Sequence, residues 1–125
     1  MAYPEDRSGD TTRMMVADDV TVEKRDVVTL VGDQTVAPVE PGDDPLGVVV
    51  ENPENAPGIA GNSTQVALTG RRNAKVTDDA SPRDRLIGAG NGELGPVLQG
   101  ENPVSPGFMC LRPAKSDGLG LVLLR

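Results

Sequence analysis

The chain has 125 residues, enough for one domain with a modest core, and 37% of them are hydrophobic. Its 19 acidic and 12 basic residues leave a net charge of −7, which disfavours nucleic acid as a partner. With no histidine and a single cysteine, Cys110, the sequence excludes Ser-His-Asp and Cys-His catalysis, histidine-held metals, an internal disulfide and a cysteine zinc site.

Residues 2–13 are polar and lack an apolar rhythm. They predict a flexible N-terminal arm over residues 1–15, followed by a single β domain over 16–125. The N-terminus has no basic-then-apolar pattern, so no signal peptide is read there. From Met14 onward short apolar runs alternate with turn signals. Candidate strands are Met14–Ala17, Val20–Val22, Val27–Val31, Thr35–Val39, Leu46–Glu51, Gln65–Thr69, Ala74–Thr77, Arg85–Ile87 and Pro96–Leu98. Phe108–Arg112 and Leu119–Leu124 close the chain. The 15 Gly and 11 Pro interrupt nearly every helix-length window. Asp10–Val31 escapes them, but its valines and threonines favour strands. Ser81-Pro82-Arg83-Asp84 resembles a helix start, which Gly88 would end within two turns. The expected class is all-β: a small β-barrel or sandwich of short strands with an extended N-terminal arm. No apolar run approaches the length that crosses a membrane as a helix.

Leu46–Val50 is apolar on both faces and predicts a central strand or one lying under the arm. In Gln65–Thr69, Val66 and Leu68 share one face. Leu119–Leu124 reads as a paired strand, since it would otherwise expose its leucines. Asp outnumbers Glu and Arg outnumbers Lys. An acidic, Lys-poor chain with small aliphatics suits a high-salt cytoplasm, where carboxylates hold water and counter-ions. An ordinary acidic protein has the same balance.

The motifs read mostly as structure. Gly90-Asn-Gly-Glu-Leu-Gly95 spells a dinucleotide fingerprint, but Pro96 and a β-like run follow where a helix should open. Asn91-Gly92 reads as a hairpin turn instead. Asp18-Asp19, Asp43-Asp44 and Asp78-Asp79 read as solvated loops. A calcium site or a carboxylate acid–base pair, drawn with Asp84, are the chemical alternatives. Arg71-Arg72, with Lys75 close by, either pairs with Asp78-Asp79 or meets a partner or second subunit. Cys110 reads as a small core residue. Asn62-Ser-Thr64 is a formal glycosylation sequon. No cofactor is expected.

Five segments resemble the small β-barrel capsid decoration (cement) proteins of tailed viruses. They are Val22-Glu-Lys-Arg-Asp26-Val-Val-Thr-Leu30, Asp44-Pro-Leu-Gly47-Val-Val-Val50 and Thr64-Gln-Val-Ala-Leu-Thr-Gly70, then Ala80-Ser-Pro-Arg-Asp84-Arg-Leu86 and the closing hairpin Phe108–Leu124. The likeness spans about Val20 to Leu124. It departs from the family at Arg25 and Arg83, which stand where Gly-Asp turns carry glycine, and Arg resists positive φ. Residues 52–62 read as an insertion. The resemblance implies a non-enzymatic protein, made in the host cytoplasm, on the outer surface of the virion. Its partner would be the major capsid protein, bound as a homotrimer bracing neighbouring subunits, without nucleic acid or membrane. The arm would make the contact through Tyr3, Pro4, Arg7, Arg13, Met14 and Met15, although Met14-Met15 equally suits the start of the core. Arg71 and Arg72 would be partner or inter-subunit contacts. A salt-loving archaeal host would fit the composition. The alternative reading is a small β-barrel accessory or binding module of a cellular complex, with a defined pocket.

Overall fold

Runs rich in valine and threonine, stiff at χ1, become short strands wherever proline and glycine leave them uninterrupted. The computed structural model describes residues 10–18, 20–50, 63–97 and 108–124. Among these it contains ten strands and no helix, so the all-β expectation holds. The first five are β1 (Thr11–Val16), β2 (Val27–Gly32), β3 (Thr35–Pro38), β4 (Gly47–Val49) and β5 (Ser63–Ala67). They form a closed barrel in the order β1-β3-β2-β4-β5. The other five are β6 (Gly70–Lys75), β7 (Arg85–Gly90), β8 (Glu93–Pro96), β9 (Phe108–Arg112) and β10 (Leu119–Leu124). They form a second sheet, β6-β10-β9-β7-β8.

Several expectations need correction: the strand expected over Ala74–Thr77 is β6, running Gly70–Lys75, and Ser81–Asp84 opens no helix. β1 begins at Thr11 and pairs with β5 from Thr11↔Ala67 to Met15↔Ser63, so residues 11–15 belong to the barrel and not to an arm. Tyr3, Pro4 and Arg7 lie outside the described residues. Val20–Val22 is not a strand; Val22 buries its side chain from an irregular connection. The strand expected over Pro96–Leu98 is β8, which starts at Glu93 because Asn91-Gly92 turns the chain there. Asn91 (φ 55) and Gly92 (φ 75) both take the positive φ that a two-residue hairpin turn requires.

One tight turn recurs three times, at residues 23–26, 40–43 and 81–84. In each, the last N–H donates to the first carbonyl: Asp26 to Glu23 and Asp84 to Ser81 at 3.0 Å, Asp43 to Glu40 at 3.0 Å. In each, the aspartate accepts the first residue's N–H at its Oδ2, at 2.9, 2.9 and 2.8 Å in chain order. The third residue takes positive φ: Arg25 (80), Gly42 (88) and Arg83 (78). Arg therefore adopts the glycine conformation at both positions where the family resemblance predicted difficulty.

The two sheets repeat one another. After its turn, β2–β3 runs Val28↔Pro38, Thr29↔Ala37, Leu30↔Val36, Gly32↔Thr35, with a register shift between Leu30 and Gly32. β7–β8 runs Leu86↔Pro96, Ile87↔Gly95, Gly88↔Leu94, Gly90↔Glu93, with the shift between Gly88 and Gly90. Arg25 N–H donates to Val49 O and Arg83 N–H to Cys110 O, while Val49 and Cys110 N–H return to Asp26 O and Asp84 O. β5 against β1 matches β10 against β6, where Leu119↔Lys75 answers Ser63↔Met15 and Leu123↔Arg71 answers Ala67↔Thr11. The core of the first barrel is Val16, Val22, Val28, Val36, Val49 and Val66. By this correspondence its equivalents are Val76, Ala80, Leu86, Leu94, Cys110 and Val122, all members of the second cluster. The molecule is a tandem of one five-stranded unit.

The units differ at one joint. In the first, β1 and β3 pair directly, and Met15 N–H donates to Gln34 O at 2.8 Å. In the second, β6 and β8 meet through the single parallel bridge Val76↔Leu94. Where the direct bond would lie, residues 25–27 of the first unit insert. Lys75 N–H donates to Arg25 O at 3.2 Å, and Val27 N–H donates to Gly92 O at 2.9 Å. Val27, Val39, Val48 and Ala67 consequently join the second unit's core, each with no exposed surface.

Candidate functional site

The residues singled out by sequence fall in three places. β1 carries the first group. Val16 is buried, and Met14 is half-buried against the first barrel's core. Met15, on the other face, keeps 38% of its surface. Arg13 is exposed, and its Nη1 donates to Ser63 Oγ at 3.1 Å. Met14 therefore starts the core, while Arg13 and Met15 face outward.

The Arg71-Arg72 pair is divided by the strand that holds it. Successive side chains of β6 point to opposite faces. Arg71 is exposed, whereas Arg72 keeps only 5% of its surface and its Nε is buried without a hydrogen-bond partner. The pair is not one basic patch.

Lys75 pairs elsewhere than its neighbourhood in sequence suggests. Its Nζ bonds Asp26 Oδ1 at 2.5 Å and also the Glu23 carboxylate, both across the joint between units. Burial opposes the charge on Lys75, but the hydrogen bonds it donates to Asp26 and Glu23, together with the charges of those carboxylates, outweigh it and raise the pKa above its ordinary value. The hydrogen bond and the charge of Lys75 hold the Glu23 carboxyl below the usual carboxylate range. Glu23 and Asp26 had no sequence signal as a lysine's partners, because 49 residues separate Asp26 from Lys75.

Three of the carboxylates considered for catalysis or calcium make structural bonds. Asp43 and Asp84 brace their turns, and Asp79 accepts from Thr77 Oγ1 at 2.5 Å. Among the described residues no three His, Cys, Asp or Glu side chains gather as a metal site. Cys110 is fully buried in β9. Burial first, then the charge of Asp84, pushes its thiol pKa up. A surface groove of about 450 Å³ carries Asp78, Glu93 and Lys115 on its walls. In the sequon, Asn62 lies outside the described residues and Thr64 is buried in β5.

Sequence reasoning missed the exposed apolar end of the first barrel. Besides Met15, Leu30 and Val31 at the end of β2 keep 53% and 55% of their surface. They read as ordinary strand residues, and only the pairing shows that they overhang.

No family model and no curated protein matches this sequence. A solved structure does: the head fiber gp8.5 N base in bacteriophage phi29 is similar to this chain with a TM-score of 0.64. The match covers 93% of each chain at 16% identity, which establishes likeness of fold.

Proposed function

We propose that the chain is a structural protein of a virus head, bound to the outside of the assembled capsid, where it cements neighbouring major capsid subunits. The observation that carries this reading is the fold match over 93% of both chains to the N base of a bacteriophage head fiber. The resemblance of its segments to capsid decoration proteins supports it independently. The role is non-enzymatic, the partner is the major capsid protein, and three copies sit together on the shell. Residues 1–9, with Tyr3, Pro4 and Arg7, supply a segment ahead of the barrel that can add to a capsid strand. Arg13 and Met15 extend that surface onto β1. The acidic, Lys-poor composition fits a virus of a salt-loving host.

Quantitative mass spectrometry of purified particles tests the reading. A copy number comparable to the major capsid protein is expected. Absence from particles, with the chain in the cell fraction, overturns it. Truncation belongs before Thr11, because β1 closes the barrel. Deleting residues 2–9 should leave a folded chain that no longer binds empty shells.

A further inference from the structure

Two charged side chains are buried among the described residues, Asp26 and Arg72, and each keeps 5% of its surface. Asp26 Oδ1 has the Lys75 ammonium at 2.5 Å. Arg72 is treated differently. Its Nε is buried without a hydrogen-bond partner, and among the described residues no carboxylate pairs with its guanidinium. A buried charge is strongly unfavourable unless an opposite charge and hydrogen bonds accompany it. A guanidinium does not escape that cost by giving up its proton.

The setting of Arg72 is apolar. Gly70, Arg72 and Ala74 share one face of β6 by strand alternation, and Ala74 belongs to the second unit's core. Arg72 stands opposite Val122, and Val122 opposite Cys110, both without exposed surface. One layer nearer the start of β6, Gly70 stands opposite Leu124 and adds no side chain above Arg72 on that face. The repeat supplies an internal comparison. The register that matches Leu123↔Arg71 to Ala67↔Thr11 puts Thr12 at the position of Arg72, opposite Val66. The first unit thus builds the same strand pairing with a half-buried neutral hydroxyl. The architecture does not require an arginine there, and the charge is a property of the second unit alone.

We infer that Arg72 anchors an oxyanion site in the second unit, taken by a carboxylate or a similar small oxyanion, supplied from solution or by a side chain of a partner. The planar guanidinium presents paired N–H donors that match two oxygens of such a group. The apolar neighbours strengthen the pairing by lowering the local dielectric. Exposed Arg71 lies on the opposite face of β6 and takes no part. The site needs no capsid, so it stands or falls apart from the capsid reading.

Acetate and phosphate, each titrated against chloride at fixed ionic strength, are the probes. The Nε–H signal of Arg72 in a heteronuclear NMR spectrum of the full chain should shift saturably. At tenfold excess over the dissociation constant, the Tm of wild type should rise by about 4 °C. Arg72→Met keeps an apolar stem without the charge, and Arg72→Thr copies the first unit. Both should melt cooperatively with no oxyanion-specific gain. In chloride alone Arg72→Met should melt no lower than wild type, because the unaccompanied charge is removed. Arg72→Lys keeps the charge without the fork and should bind at least about tenfold more weakly. A saturable response to the free ions assigns the site to an oxyanion from solution. No response, with at least about tenfold weaker shell binding by the folded Arg72→Met, assigns it to a partner's carboxylate. No response without that loss overturns the inference, and so does an equal gain in Tm for wild type and Arg72→Met. Shell binding by wild type in either case leaves the capsid reading standing.

Discussion

Arg83 follows Pro82 in a tight turn and holds φ at 78, a value that an L side chain reaches at a cost of about 1–2 kcal/mol. Three bonds hold it there: its own N–H to Cys110 O at 2.7 Å, the Asp84 N–H to Ser81 O, and the Asp84 carboxylate on the Ser81 N–H. Pro82 presets the preceding φ. Glycine at 83 removes the steric cost but adds freedom to the unfolded chain, worth about 0.5–1 kcal/mol. Arg83→Gly should therefore stabilise by about 0.5–1 kcal/mol and raise Tm by roughly 2–4 °C. Arg83→Val should lower Tm, because a β-branched side chain resists positive φ more strongly. Thermal melts of the two variants check the pair, and a lower Tm for Arg83→Gly contradicts the account. Read from its residues, Ser81-Pro82-Arg83-Asp84 resembles a helix start, and only the family resemblance places a turn there; the structure has the turn and no helix. The sequence did not reveal the compensation, because the bond to Cys110 comes from a strand remote in the chain.

At the scale of elements, the joint between β6 and β8 depends on residues 25–27 and on Lys75. The Lys75 side chain keeps 27% of its surface and that of Asp26 only 7%, so removing the ammonium leaves a carboxylate mostly buried and uncompensated. Lys75→Met should cost about 2 kcal/mol at neutral pH, below the figure for a fully buried pair. The sign of its pH dependence follows from the shifts. Lys75 titrates higher folded than unfolded, so its contribution is complete below its ordinary pKa of 10.5 and is lost as pH rises through the raised folded value. Glu23 titrates lower folded than unfolded, so its contribution is present above its ordinary 4.5 and is lost as pH falls through the lowered value. The gap between wild type and Lys75→Met should be widest between these limits and narrow towards both extremes. Urea midpoints across pH measure it, and parallel curves to both extremes would exclude the assigned roles. Strand existence was largely legible: Phe108–Arg112 and Leu119–Leu124 form strands over those residues. Strand partners were not. β1 pairs parallel with β3 and antiparallel with β5 across intervals that carry no local signal. The repeat itself is written in the chain, as Val16-Ala-Asp-Asp19…Arg25-Asp26 and Val76-Thr-Asp-Asp79…Arg83-Asp84. A two-residue difference in spacing and replacement of most apolar residues hide it until the strand registers align the halves.

At the scale of the whole molecule, the two units are alike in architecture and unequal in independence. The first closes its own barrel around Val16, Val28, Val36, Val49 and Val66. The second has its β6–β8 gap filled by the first and shares its core with Val27, Val39, Val48 and Ala67. Cutting the chain between Thr69 and Gly70 separates the units without breaking a strand. Residues 70–125 alone would expose Leu94 and Val76 at the open joint and leave Lys75 without its carboxylates, so this fragment should be unfolded. Residues 1–69 should retain the barrel but associate through the uncovered Val27, Val48 and Ala67, since an apolar face of that kind seeks burial. Mixing the fragments should restore the cooperative melt of the intact chain. Dispersed amide spectra for 70–125 alone would show that the second unit closes unaided and would remove the structural role assigned to residues 25–27. If complementation succeeds, the joint is an interface strong enough to form between separate chains.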